Sequence, residues 1–160
     1  MMVADGAMSA PGRRTVMAHI QTITTSGERG WAMAAHLTAL VLALMTSWLV
    51  GVAGVVGAGV IWLLKRDESP FIARHAREAV NFNLSMLIYA AVACGVAAAL
   101  VGLTVLTLGL GVILTLPAGL ALLMVIAAIA LMWLVCSIIA AVKAWNGEEY
   151  RYPLTIRLLD

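Results

Sequence analysis

Hydrophobic residues form two long blocks in this chain, and charged residues flank both of them. Residues 79–142 contain no Asp, Glu, Lys, Arg or His over 64 positions, and residues 30–64 contain only His36 as a chargeable side chain. A transmembrane helix takes about 20 apolar residues, with a range of about 17–25. In water such blocks would expose a large apolar area. The pattern therefore predicts a membrane protein that crosses the bilayer more than once.

Basic residues indicate how often each block crosses. They form three clusters, before, between and after the blocks: Arg13, Arg14 and Arg29; Lys65, Arg66, Arg74 and Arg77; Lys143, Arg151 and Arg157. Because Lys and Arg concentrate on the cytoplasmic side, each block must cross twice if all three clusters are cytoplasmic. We predict an all-α membrane protein with four transmembrane helices arranged as two hairpins, with both termini in the cytoplasm. Short external turns are expected at 46–51 and 107–119.

The first block is tight for two crossings, so the second helix, predicted over 52–64, is expected to be short. Small residues four apart in it (Ala53 with Gly57, Gly54 with Ala58) favour close helix packing. This packing is either within the chain, which we favour, or at a dimer face. Residues 1–27 are interpreted as a flexible leader, because they lack the apolar core of a signal peptide. Residues 28–159 are interpreted as one membrane domain.

The connector between the blocks carries most of the polar chemistry. Ser69 suits a helix N-cap and Pro70 the first helical position, so an interfacial amphipathic turn is expected to lead into the third helix. Helical spacing places five side chains on one face, here called the polar stripe: Arg74, Glu78, Asn81, Ser85 and Tyr89. His75, Arg77 and Asn83 lie beside it. A polar face entering hydrocarbon must contact protein or water.

Two interpretations of the polar stripe remain open. In one, the stripe lines a path or a site between helices. In the other, which we favour, it is an interfacial anchor in which Arg74 pairs with Glu78, while Asn81 and Asn83 bond to neighbouring helices or loops.

The sequence predicts no catalytic site, no metal site and no cofactor. His75 has no cluster of Cys, His or carboxylate neighbours in the sequence, and His36 is interpreted as a hydrogen-bonded packing group. Cys94 and Cys136 are expected at different depths, which excludes a disulfide, and both are interpreted as packing residues, as is Trp133. The net charge of +2 is too small to indicate nucleic-acid binding.

The C-terminal segment begins where Asn146 and Gly147 are expected to end the last helix. Beyond them the sequence predicts an amphipathic tail at the surface. Tyr150 and Tyr152, followed by Pro153, suit the headgroup layer, and Arg157 suits contact with anionic lipid.

Several motifs are similar to those of a known bacterial family. They are Ser69-Pro70-Phe71, His75 to Phe82, the ending Asn146 to Arg157, and Trp31 with His36-Leu37. Together they resemble the DUF4870 family, whose members are also described as Tic20-like or MamF/MmsF-like. The resemblance implies a small multi-pass protein of the bacterial cytoplasmic membrane, with membrane lipids, copies of itself or a larger membrane complex as partners.

The resemblance leaves several functions open. We expect a structural, interaction or accessory subunit. An oligomeric Tic20-like channel or transport component is the alternative. A MamF/MmsF-like role at a mineral is disfavoured, because neither predicted external turn contains an acidic residue. An enzyme is not expected, because no pair of catalytic groups has plausible spacing.

Overall fold

The computed structural model describes residues 24–45 and 50–159. The described residues contain four helices and no strand: α1 (Ser26–Met45), α2 (Val50–Lys65), α3 (Pro70–Leu106) and α4 (Val112–Trp145). Most of the predicted leader and residues 46–49 of the first predicted external turn, Trp48 among them, lie outside the described residues, and the last two residues of that turn lie in α2. The predicted helical class is confirmed, and the four crossings stay a prediction.

α1 begins with a capping box. Thr25 Oγ1 accepts the Glu28 N–H at 3.2 Å, and the Glu28 carboxylate accepts the Thr25 N–H at 2.8 Å. This reciprocal pair satisfies donors that a helix start would otherwise leave without partners. The hydroxyl of Ser69 donates to the same carboxylate and, with the backbone of Thr25, lowers the pKa of Glu28 below its ordinary value. The start of α1 is thereby joined to the start of α3.

Ser69 therefore differs from the prediction. It has the extended backbone of an N-cap residue, but its side chain makes no capping bond to α3 because it bonds to Glu28 instead. Pro70 is at the first position of α3, as predicted. The amphipathic turn that was expected to lead into the third helix is part of α3 itself, which runs as one continuous helix of 37 residues from Pro70.

α2 is short, as predicted, with 16 residues and a length of about 24 Å. Its small residues face the chain's own side chains. A Cβ on Gly54 would overlap Asn83 Oδ1, and one on Gly57 would lie 2.8 Å from a methyl group of Leu42. These contacts match the intramolecular interpretation of the small-residue spacing.

α3 and α4 are much longer than the first two helices. Their 37 and 34 residues give about 55 and 51 Å, against about 30 Å for α1. Both are long and apolar enough to cross a membrane. The turn between them covers only residues 107–111, with Gly109 at φ +91°. The turn was predicted to be longer than it is, because Pro117 lies inside α4 and not in the turn before it.

The core lies where all four helices meet, at the end that holds the connector and the tail. α1 occupies its centre and contacts α2, α3 and α4. It does so through buried alanines spaced three or four apart: Ala32, Ala35, Ala39 and Ala43. On α3 the buried residues run from Phe71 to Ser85, and the half beyond them is largely exposed. Cys136 and Trp133 are buried as predicted, whereas Cys94 is exposed, so its predicted packing role is wrong within this chain.

Candidate functional site

The C-terminal tail, residues 148–159, covers the polar stripe of α3. α4 ends at Trp145, and Gly147 at φ +79° turns the chain back, as the sequence predicted. A glycine suits this position because a positive φ strains other residues. The space around residue 147 also favours glycine, since a Cβ there would lie 2.8 Å from Thr24 Oγ1.

Three side chains of the polar stripe bind the backbone of the tail. The Tyr89 hydroxyl donates to the Leu154 carbonyl at 2.6 Å, and Ser85 Oγ accepts the Ile156 N–H at 2.9 Å. Asn81 makes three bonds: Oδ1 accepts the N–H groups of residues 158 and 159 at 3.1 and 2.9 Å, and Nδ2 donates to the carbonyl of residue 159 at 2.9 Å. Backbone groups that are removed from water require such partners. The polar stripe supplies them.

Two ion pairs join the same surfaces. Arg74 pairs with Glu149 at 2.7 Å, and Glu78 pairs with Arg157 at 3.1 Å. The predicted pair between Arg74 and Glu78 is wrong, because each of these side chains has a partner from the tail instead. Exposed pairs of this kind contribute about 0–1 kcal/mol each. They therefore orient the tail more than they hold it.

Tyr152 enters the core from the tail. Its ring is 3% exposed and stacks on Phe82 with centroids 3.9 Å apart at 11°. Tyr152 was predicted to face the headgroup layer. This prediction is wrong, because the ring is buried between the helices against Phe82. Tyr150 is half-buried and meets Tyr152 edge-on, while Pro153 is exposed.

A buried hydrogen-bonded chain begins at the Tyr152 hydroxyl. Tyr152 Oη lies 2.8 Å from His36 Nδ1, and His36 Nε2 lies 2.9 Å from His75 Nδ1. Both imidazole rings are 1% exposed. Two proton arrangements satisfy both bonds. In one, the Tyr152 hydroxyl donates to His36 Nδ1 and His36 Nε2 donates to His75 Nδ1; in the other, His75 Nδ1 donates to His36 Nε2 and His36 Nδ1 donates to the Tyr152 oxygen. Burial raises the pKa of Tyr152, so the phenol stays protonated.

The chain ends at His75 Nε2, which is buried near the backbone of Glu148 and has no hydrogen-bond partner among the described residues. Over the part of the chain that the structure describes, no three His, Cys, Asp or Glu side chains come together as metal ligands. The arrangement connects α1, α3 and the tail through neutral hydrogen bonds.

A second polar contact joins α2, α3 and α4. Asn83 donates to the Ala79 carbonyl at 2.8 Å and accepts the Trp133 Nε1–H at 3.3 Å. Gly54 leaves the space that the Asn83 amide occupies. The predicted bond from Asn83 to a neighbouring helix is present. Arg77 is half-buried and makes no hydrogen bond or ion pair with the residues described.

Sequence reasoning missed the histidine pair and the role of Tyr152. His36 and His75 are 39 residues apart, and His36 is surrounded by apolar residues that carry no sign of a partner. The family-like motifs did include both histidines and the tail tyrosine, so those residues were marked without their contact being visible.

Comparison with known families adds to this geometry. The model of the magnetosome magnetite crystal formation protein family matches residues 27–159, from the first turn of α1 to the end of the tail. The chain belongs to this family. No curated protein and no solved structure gave a match. With two helices long enough to cross a bilayer, this member of the magnetosome magnetite crystal formation family is a membrane protein.

Proposed function

We propose that the protein is a small accessory subunit of a bacterial cytoplasmic membrane, acting through contacts with other membrane components and not as an enzyme. The observation that carries this proposal is the covering of the polar stripe by the tail. An aqueous path along α3 needs Asn81, Ser85 and Tyr89 free to face water. All three bind tail backbone instead.

The outer surface supports the same role. Beyond the four-helix core, exposed side chains of α3 and α4 are apolar, among them Val92, Val101, Leu116 and Leu123. Such faces suit lipid or other transmembrane helices and offer no polar lining. The narrower resemblance to DUF4870 and Tic20-like proteins remains part of this proposal. A Tic20-like channel is the second candidate, and it would need several copies around a pore.

The family description concerns magnetite crystals, and the position of the carboxylates bears on it. The described Asp and Glu residues are all in the connector, the tail or the first turns of α1 and α3: Glu28, Asp67, Glu68, Glu78, Glu148 and Glu149. The α3–α4 turn at the opposite end has none. We therefore propose that any effect on mineral growth acts through the membrane, without direct binding of mineral by that turn.

Topology is the first test. In the proposed arrangement of four crossings with cytoplasmic termini, reporter domains fused after Asp67 and at the C-terminus report the cytoplasm. A reporter inserted at Gly111 reports the opposite side. Opposite locations for Asp67 and the C-terminus would contradict four crossings.

Solvent access then separates the accessory subunit from the channel. In a Cys94→Ser, Cys136→Ser background, Ser85→Cys and Tyr89→Cys are each treated with a small water-soluble thiol reagent in native membrane, with Leu87→Cys as the control. The accessory role predicts protection at all three positions. Reaction at 85 and 89 with none at 87 would establish an aqueous path and overturn the proposal.

A further inference from the structure

The tail binds α3 as an extended peptide binds a receptor. From residue 154 to residue 159 its backbone contacts run toward the start of α3, so the two segments are antiparallel. The partners on α3 are four residues apart, at 89, 85 and 81. Those on the tail are about two apart, at 154, 156 and 158–159.

These spacings match physically. Four helical residues rise about 6.0 Å, and two extended residues span about 6.6 Å. One face of a helix can therefore hold an extended chain over successive contacts. In this tail the chain after Leu154 follows that spacing, while Leu154 itself has a left-handed φ of +54° in the turn that precedes it. Backbone recognition of this kind depends little on the side chains of the bound segment.

Side chains of the tail add a short pattern at its two ends. Tyr152 fills the slot formed by Phe82 and His36. Leu159 packs against the buried cluster that contains Ala79 and Val80, and Arg157 reaches Glu78. Between these anchors the side chains are exposed, with Leu154 at 67% and Leu158 at 55%. The anchored residues of the tail are thus a Tyr, a basic residue five positions further on and a Leu seven positions further on.

We propose that the polar stripe and the Tyr152 slot form a binding site for an extended polypeptide segment of this pattern. The chain's own tail is its resident ligand, and the tail of a second copy binds in trans when the resident tail is displaced. The proposal does not depend on the accessory role, because it concerns the contacts of α3 with an extended backbone.

The test uses the full chain in lipid nanodiscs and a fluorescent synthetic peptide of residues 149–159. Binding to the native protein is expected to be weak and saturable, since the resident tail competes. Tyr152→Ala in the protein loosens the resident tail and is expected to strengthen peptide binding. In the Tyr152→Ala protein, once its loosened tail no longer competes, Asn81→Leu removes three bonds to the peptide and is expected to weaken its binding about twentyfold, at about threefold per bond. These opposite signs distinguish a shared site from general destabilisation.

Controls keep the outcome clear. A scrambled peptide and a peptide with Tyr152→Ala should bind poorly, and helical content and monodispersity should be unchanged in each protein variant. If Asn81→Leu disturbs folding, Ser85→Ala provides a milder change in the same site, with an expected loss of about threefold. Equal binding of native and scrambled peptides would overturn the proposal. So would a Tyr152→Ala protein that binds no more peptide than the native chain.

Discussion

Replacement of Asn81 by leucine tests how the tail is held. Asn81 is 2% exposed, and its amide bonds to three backbone groups of Leu158 and Leu159. Leucine has a similar size and is favourable in lipid. Insertion of α3 into the membrane should therefore be unaffected, while the three backbone groups lose their partner.

The size of the effect follows from the number of bonds. Hydrogen bonds between membrane helices average about 0.6 kcal/mol each and reach about 1.7. Three such bonds give about 2 kcal/mol, so the population with an undocked tail should rise about twentyfold. When local opening is fast relative to cleavage, the cleavage rate follows this population.

Limited proteolysis of inside-out vesicles measures this population. A trypsin-like protease should cut after Arg151, an exposed residue just before the Tyr152 anchor, about twentyfold faster in Asn81→Leu than in the native protein. Leu87→Ala is the matched control, because Leu87 is on the same helix and has no hydrogen bond to the tail. Equal cleavage rates in the native protein and Asn81→Leu would refute the reasoning that Asn81 holds the tail.

Three further outcomes are expected. Tyr152→Phe keeps the stacked ring but loses the bond to His36, which should lower the free energy of unfolding by about 0.5–1.5 kcal/mol, measured by thermal denaturation in detergent. Gly54→Ala should destabilise the protein, because the added Cβ would meet the buried amide of Asn83. Gly95→Ala should not, because nothing lies within 4 Å of a Cβ there. Equal melting temperatures of the two variants would contradict this prediction. The pKa of Glu28 is lowered, so its carboxylate stabilises the fold above pH 4.5, and this contribution fades as the pH falls. Glu28→Gln should therefore lose less stability in acid than the native protein does, as measured by thermal denaturation from pH 7 to 3.

Local patterns in the sequence predicted the helices well. The uncharged blocks predicted the long helices, and Asn146 with Gly147 predicted the end of α4. The turn before α4 was placed too broadly because proline and glycine lower helix propensity, yet Pro117 is accommodated within the helix.

Only some partners of the polar stripe were predicted: Asn81 bonds to loop backbone as expected, whereas the ion-pair partners were not foreseen. Helical spacing placed Arg74 beside Glu78, but the tail provides Glu149 and Arg157 from more than 70 residues away. Asn81 and Ser85 bond to backbone groups, which every residue carries and which leave no mark in the sequence. The stripe was therefore visible, and its ligand was not.

The long separation between the polar stripe and the tail also orders events during synthesis. The bonded residues are 65 to 78 positions apart along the chain. At about 5–20 residues per second, the ribosome completes the tail several seconds after it has made the α3 positions that the tail will cover. During that interval the amide of Asn81 and the hydroxyls of Ser85 and Tyr89 enter the insertion machinery without the tail groups that will bond to them. Residues of the tail therefore complete the hydrogen bonding of a helix that was made much earlier.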